Sequence, residues 1–152
     1  MKLVSVIIPF YKKKRFFRKT LLSIINQDYQ KLEIIIIYDD TNILDLIFLK
    51  KISKIDKRIK LIINKKNIGA GLSRNKGMKL ARGDFLAFID SDDVWVLNKI
   101  SNQLKFMLNN NFRASHTDYR IINPKDKVIS YRKARNINHV DDILKSCDIG
   151  LS

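Results

Sequence analysis

With 152 residues, 45% hydrophobic and 30% charged, the chain is long enough to bury one domain's core; no apolar run approaches the ~20 residues of a membrane span, and the start MKLVSVIIPFYKKK has no signal-peptide layout. Cys147 is the only cysteine, so a disulfide framework and a cysteine-based zinc site are excluded and a cytoplasmic, reducing location is expected. Thirty Lys and Arg against fifteen Asp and Glu give a net charge of +15, which admits an anionic partner, but the lysines are spread along the chain and abundant together with Ile and Asn, so charge alone selects none.

Leu3 to Phe10 (LVSVIIPF) is a short, nearly continuous β-branched run, as in a strand buried on both faces. From Arg15 the spacing of Phe17, Leu21, Ile24 and Ile25 turns helical. Leu32 to Tyr38 (LEIIIIY) reads as a second buried strand, Ile43 to Lys54 as a weaker helix and Ile59 to Ile63 as a third strand. The loop Asn67-Ile68-Gly69-Ala70-Gly71 feeds a helix running to about Leu80, and Arg82-Gly83-Asp84 turns the chain into a fourth strand, Phe85 to Ile89. An amphipathic helix is then expected, with Leu97, Ile100, Leu104, Met107 and Leu108 inward. Phe112 to Ile122 and Val128 to Arg132 read as strands of an extension, Asp141 to Ser146 as a short helix and Asp148 to Ser152 as an extended segment.

Strand and helix thus alternate four times over residues 1–110, the pattern of an α/β domain with an open, mostly parallel, doubly wound sheet. Ligands of such sheets bind at the carboxyl ends of the strands. The polar punctuation falls there: Pro9 and Tyr11, then Asp39-Asp40, then Asn67 and Gly69, then Asp90 to Asp93. The expected organisation is one domain, 1–152, with a ligand-binding core over 1–110 and the start of an extension over 111–152.

Asp90-Ser91-Asp92-Asp93 puts three carboxylates in four residues, which repel one another. A hard divalent cation such as Mg²⁺ or Mn²⁺ would relieve that repulsion and keep coordination sites for substrate phosphates. Capping of the next helix by Asp92 or Asp93 is the structural alternative. It accounts for one aspartate and not for three. Asp39-Asp40 is either a hydrogen-bond acceptor for a base or ribose, or a plain Asx-type turn. Arg74 shares a helix face with Ala70, Gly77, Met78 and Ala81, which implies close packing on the sheet. There it would reach a phosphate or pair with an aspartate of the cluster. His116 and His139 stand alone and receive no role. The glycine loop lacks the Gly-Lys-Ser/Thr ending of a P-loop. Tyr11 with Lys12 to Lys14 has no nucleic-acid-binding signature around it, so nucleic acid is not the expected partner.

Taken in order, VSVIIPFYK (4–12), LLSIINQDYQKLEIIIIYDD (21–40), RIKLIINKKNIGAGLSRNKGMKLARGDFLAFIDSDD (58–93) and the Trp95 segment resemble the family 2 glycosyltransferases of the GT-A fold. The resemblance implies that Pro9 and Tyr11 line a nucleotide pocket and that Asp39 or Asp40 binds a uracil-like base. The family's Asp-Asp-Gly-Ser is replaced here by Tyr38-Asp39-Asp40-Thr41, and both aspartates stay open. Asn67 and Arg74 match elements near the nucleotide, and Asp90-Ser91-Asp92 matches the family's Asp-x-Asp motif, Asp92 as metal ligand with Asp90 nearer the ribose. It further implies a metal-dependent transferase using Mn²⁺ or Mg²⁺ and a UDP-sugar, inverting, with a glycan or lipid-linked acceptor, in cell-surface polysaccharide synthesis. Peripheral contact with the inner face of the membrane goes with such an acceptor. The family's general base lies well after the Asp-x-Asp motif. No residue of 112–152 matches it; Asp118, Asp141, Asp142 and Asp148 qualify by residue type alone. A truncated or split enzyme, with a partner chain supplying the acceptor half, or a non-catalytic donor-binding module, is therefore the alternative expectation.

Overall fold

The computed structural model describes residues 1–134, which fall into two compact units, residues 1–102 and the described part of 103–152. The first unit is built on β1 (Val4–Phe10) and β2 (Leu32–Tyr38), whose residues are all buried. That burial explains their unbroken Val/Ile character: a strand covered on both faces has no solvent side to mark with polar residues. β3 (Ile59–Ile63) and β4 (Phe85–Phe88) are the edges of one parallel sheet of order β3-β2-β1-β4.

The chain steps from β1 to β2 to β3 in one direction and then crosses back to place β4 on the other side of β1. The reversal makes the carboxyl ends of β1 and β4 a topological switch point, where open sheets hold their ligands. The register opens a crevice there. The last β1–β4 pair is Ile7 with Phe88, after which Ile89 N donates to Ile7 O at 3.3 Å. β1 continues through Phe10 paired with β2 alone, and Phe10 O accepts from Asp39 N at 2.9 Å. By the alternation of the ladder, Pro9 turns its missing N–H toward the side β4 has left. A proline can therefore occupy a central strand without breaking a ladder bond.

Helix α1 (Lys14–Ile25) buries Phe17, Thr20, Leu21 and Ile24. Helix α2 (Ile43–Ile52), followed by a single 3-10 turn (Ser53–Ile55), is capped by the Asn42 side chain, which accepts from the amides of Leu44 and Asp45 at 2.9 and 3.3 Å. The two helices meet, with the rings of Phe17 and Phe48 6.5 Å apart. Helix α3 (Ala70–Leu80) packs on β1 and β2. Its inward face differs from the expected one: Ser73 and Gly77 are buried, whereas Ala70 and Met78 are exposed. Contact with the sheet fixes that rotation, because a Cβ on Gly77 would lie 2.5 Å from Ile7 Cγ2.

Helix α4 (Lys99–Asn109) starts later than expected, after an irregular stretch at residues 94–98. Ile100 and Leu104 are buried as the spacing predicts, but Leu97 lies outside the helix at 64% exposure and Leu108 is 53% exposed. The second unit contains an antiparallel hairpin, β5 (Tyr119–Ile122) and β6 (Val128–Arg132). Of the strand expected over 112–122, these last four residues form one. The turn between them closes through Asn123 N to Lys127 O at 2.9 Å, with Asp126 in the left-handed region at φ 63°. The helix expected at 141–146 and the extended segment at 148–152 lie outside the described residues.

Candidate functional site

Asp90 to Asp93 leave the end of β4 as a turn, with Asp93 N donating to Asp90 O at 3.1 Å. Because α4 begins at Lys99, none of these carboxylates caps it, and the capping explanation of the cluster falls. The segment is held from the side by α1. Thr20 Oγ1 donates to Ser91 O at 3.1 Å, Ser23 Oγ accepts from Trp95 N at 3.1 Å, and Asp28 N donates to Leu97 O at 3.0 Å. Gln27, fully buried, donates Nε2 to Val96 O at 2.7 Å and accepts from Ile100 N at 3.0 Å. These backbone groups are occupied by Thr20 and Ser23 of α1 and by Gln27 and the Asp28 amide just after it, which is why 94–98 is not helical. The clamp was not among the residues the sequence singled out. Its signal was present: Thr20 interrupts the apolar face of Phe17, Leu21 and Ile24, Gln27 follows just after the helix, and buried polar side chains require partners.

Each exposed carboxylate of the turn has a cation. Arg74 Nη2 pairs with Asp90 Oδ1, which of the two roles open to Arg74 is the one the structure displays. Lys13 Nζ lies 2.7 Å from Asp92 Oδ2, an ion pair absent from the sequence reading; Asp92 raises the Lys13 pKa. Asp93 is pushed up to about 6, by burial first and then by the charges of Asp90 and Asp92, with Lys13 pulling the other way. Trp95 is buried just beyond it, with the Lys99 ammonium 4.9 Å from its ring centre.

Among the described residues no group of three or more His, Cys, Asp or Glu converges as a metal cage. The residues present fit a different arrangement. Asp90 and Asp92 are hard oxygen donors with side chains 39% and 35% exposed, and a cation there would share its coordination with substrate oxygens and water. Such a cation would also offset the charges of Asp90 and Asp92, which add to burial in raising Asp93.

At the end of β2, Asp39 and Asp40 are both buried, at 2% and 4% exposure. Asp39 Oδ1 accepts from Asn64 Nδ2 at 2.8 Å and Ile68 N at 2.9 Å, and Asp39 O accepts from Asn67 Nδ2 at 2.8 Å. Among the described residues nothing donates to Asp39 Oδ2. Asp40 spends both oxygens on backbone: Oδ1 accepts from Thr41 N at 2.7 Å and Oδ2 from Lys12 N at 3.2 Å. Asp40 thereby holds the turn after β1, where Lys12 takes φ 53°, and Asp39 holds the loop leading to Gly69 at φ 85° and α3. Tyr11 is 45% exposed, with the Lys12 ammonium 5.0 Å from its ring centre.

Two clusters therefore flank the open end of β1: Asp39, Asp40 and Asn67 on the β2 side, and Asp90, Ser91, Asp92, Arg74 and Lys13 on the β4 side. Pro9 is buried in the strand between them and Tyr11 follows it. Asp118 lies in the second unit, where its carboxylate accepts from the Tyr131 hydroxyl and from Ala134 N at 2.7 Å. Asp141, Asp142, Asp148 and His139 lie outside the described residues.

The model of the family described as glycosyl transferase family 2 matches residues 5–147. A UDP-Glc:alpha-D-GlcNAc-diphosphoundecaprenol beta-1,3-glucosyltransferase of Escherichia coli is 36% identical over 97% of this chain and 57% of its own length. A glycosyltransferase of Rickettsia conorii is 41% identical over 97% of this chain and 24% of its own. Residues 1–349 of S. aureus TarS, solved in complex with UDP-GlcNAc, superpose with a TM-score of 0.65 at 26% identity, over 72% of this chain and 32% of that one. The chain thus spans between a quarter and three-fifths of the length of these relatives. Parallel sheet, crossing order and family match agree: the fold is of the GT-A type, and the chain belongs to glycosyl transferase family 2.

Proposed function

We propose that this chain binds the UDP-sugar donor of a glycosyltransferase in the crevice at the carboxyl ends of β1 and β4. The observation that carries the reading is the pairing, across the open end of β1, of a cation-balanced carboxylate turn with a buried aspartate whose second oxygen no described residue uses. Asp39 Oδ2 is the acceptor for the uracil edge, which selects Asp39 over Asp40; Asp40 and Asn67 shape the walls. Pro9 forms the floor and Tyr11 the rim of the nucleotide pocket. Arg74 and Lys13, now paired with Asp90 and Asp92, turn their charge to the diphosphate when it arrives. A bound Mn²⁺ or Mg²⁺, held by Asp92 with Asp90 beside it, would neutralise charge on the diphosphate leaving group. Asp90 and Ser91 face the ribose. The uridine donor is supported by the E. coli relative, named for UDP-Glc, and by the UDP-GlcNAc complex of TarS.

The sugar passes, with inversion, to a glycan or lipid-linked acceptor in cell-surface polysaccharide synthesis, at the cytoplasmic face of the membrane with peripheral contact. The E. coli relative, named for a diphosphoundecaprenol-linked substrate, supports that acceptor class. Among the described residues no helix is long and apolar enough to cross a membrane. A second reading is a donor-binding module that needs a partner chain for turnover. It is favoured by Asp118, a candidate base by residue type, which is tied to Tyr131 and Ala134.

Calorimetry with UDP and Mn²⁺ tests the reading. The wild-type chain binds, and Asp92→Ala weakens binding roughly tenfold or more by removing a metal ligand. No binding, or binding untouched by Asp92→Ala, refutes it. Release of UDP from UDP-sugar then separates the enzyme from the module. Salt-sensitive RNA binding without UDP affinity would point instead to a nucleic-acid-binding protein.

A further inference from the structure

The outer layer formed by α1 and α2 joins exposed aliphatic side chains to a one-sided charge. Ile43, Leu44 and Ile47 of α2 are 62%, 63% and 55% exposed. Their spacing puts them on one side of the helix's opening turns, and the same stripe runs on into Lys50 and Lys51. On α1, Phe16 is exposed with the Arg15 guanidinium 5.4 Å from its ring centre. The two helices are tied at this end, the Lys14 ammonium lying 3.8 Å from the Asp45 carboxylate. Asp45 is the sole acidic residue of either helix, and it is buried.

We infer that this surface, the opening turns of α1 and α2 with the stripe that runs on to Lys50 and Lys51, docks on a bilayer surface rich in anionic lipid headgroups. Aliphatic tips this exposed mark an interaction surface. Flanked by cations, with no acidic side chain exposed on either helix, they suit the boundary between headgroups and acyl chains: the tips enter it and the cations meet lipid phosphates. The place in the fold suits a membrane too. Both helices open shortly after the ends of β1 and β2, so their opening turns lie at the same end of the sheet as the Asp39–Asp40 cluster. A bilayer on them would bring a lipid-linked acceptor toward the donor crevice. Docking stands by itself; its use in catalysis rests on the function proposed above.

Sedimentation with phosphatidylglycerol-containing vesicles, against phosphatidylcholine vesicles, tests the inference with the full chain. A triple variant, Ile43→Ser, Leu44→Ser and Ile47→Ser, changes exposed side chains alone, and its UDP affinity is measured in parallel. The wild type sediments with anionic vesicles and not with phosphatidylcholine, and the triple variant binds about tenfold more weakly at unchanged UDP affinity. Should the triple variant lose its fold, Lys50→Glu with Lys51→Glu gives the same weakening with the apolar tips intact. Equal binding by wild type and variants overturns the proposal, since attraction to the whole +15 chain would then suffice. So does a wild type that ignores vesicles, including one that dimerises through this face and becomes monomeric in the triple variant. Loss of UDP binding by the wild type would strike the donor reading and leave the docking result intact.

Discussion

Glu33 shows how much one side chain of this sheet carries away from the candidate site. At 4% exposure, its carboxylate accepts from Ser5 Oγ at 2.6 Å, Lys60 Nζ at 2.5 Å, Arg82 N at 2.9 Å and Arg82 Nε at 3.1 Å. Burial pushes its pKa up, but the bonds from Lys60, Ser5 and Arg82 outweigh burial and hold it at about 2. A carboxylate whose folded pKa lies below its unfolded value stabilises fully above the unfolded value and loses that contribution as pH falls through the folded one. Glu33→Gln is therefore expected to destabilise by on the order of 2–3 kcal/mol at neutral pH. The gap to wild type should close between the ordinary glutamate range and about pH 2. Urea unfolding across that range checks it, and a gap independent of pH would refute the assignment. Residue type made the carboxylates of the site legible in the sequence: Asp39, Asp40, Asp90 and Asp92 stand at strand ends. The partners were not all legible, because Lys13 and Asp92 meet through tertiary contact across 79 positions.

At the scale of elements, α1 covers the sheet and, with the turn that follows it, clamps the acidic turn. Gln27→Ala would leave the buried Ile100 amide, and the part-buried Val96 carbonyl, without their partner, at about 1–3 kcal/mol. Urea unfolding gives the loss, and hydrogen exchange at Ile100 N should quicken more than at the β1 and β2 amides. Unchanged exchange at Ile100 would contradict the clamp. α3 has a tight contact of another kind. Gly77→Ala sets a methyl 2.5 Å from Ile7 Cγ2, and overpacking of this sort costs about 1–3 kcal/mol. An unchanged melting curve would refute that contact. Other elements show what the sequence could and could not tell. β2 and β3 were legible to the residue: β2 because a doubly buried strand advertises itself as a run of Ile, β3 because its short apolar run is bounded by polar residues on both sides. α4 was placed too early because the apolar spacing of Leu97 and Ile100 extends past the helix. The restraint on 94–98 comes from side chains about 70 positions away, which no local pattern contains.

For the molecule as a whole, the order β3-β2-β1-β4 gathers residues from far-apart segments at one end of the sheet. Alternation of strand and helix made that convergence predictable. The crevice itself depends on β4 ending two pairs before Pro9, a matter of register that alternation does not specify. The central claim is that this end, and not the Glu33 end, receives a nucleoside diphosphate with its metal. Mn²⁺ with UDP, added to the isotopically labelled chain, broadens the amide signals of nearby residues and so locates the metal directly. Broadening is expected at Asp39–Thr41, Asn67–Gly71 and Asp90–Asp93 that requires UDP and disappears in Asp92→Ala, with Ser5, Glu33 and Gly83 sharp. Broadening centred on Glu33 and Gly83, or at the acidic turn regardless of UDP and Asp92, would contradict that claim.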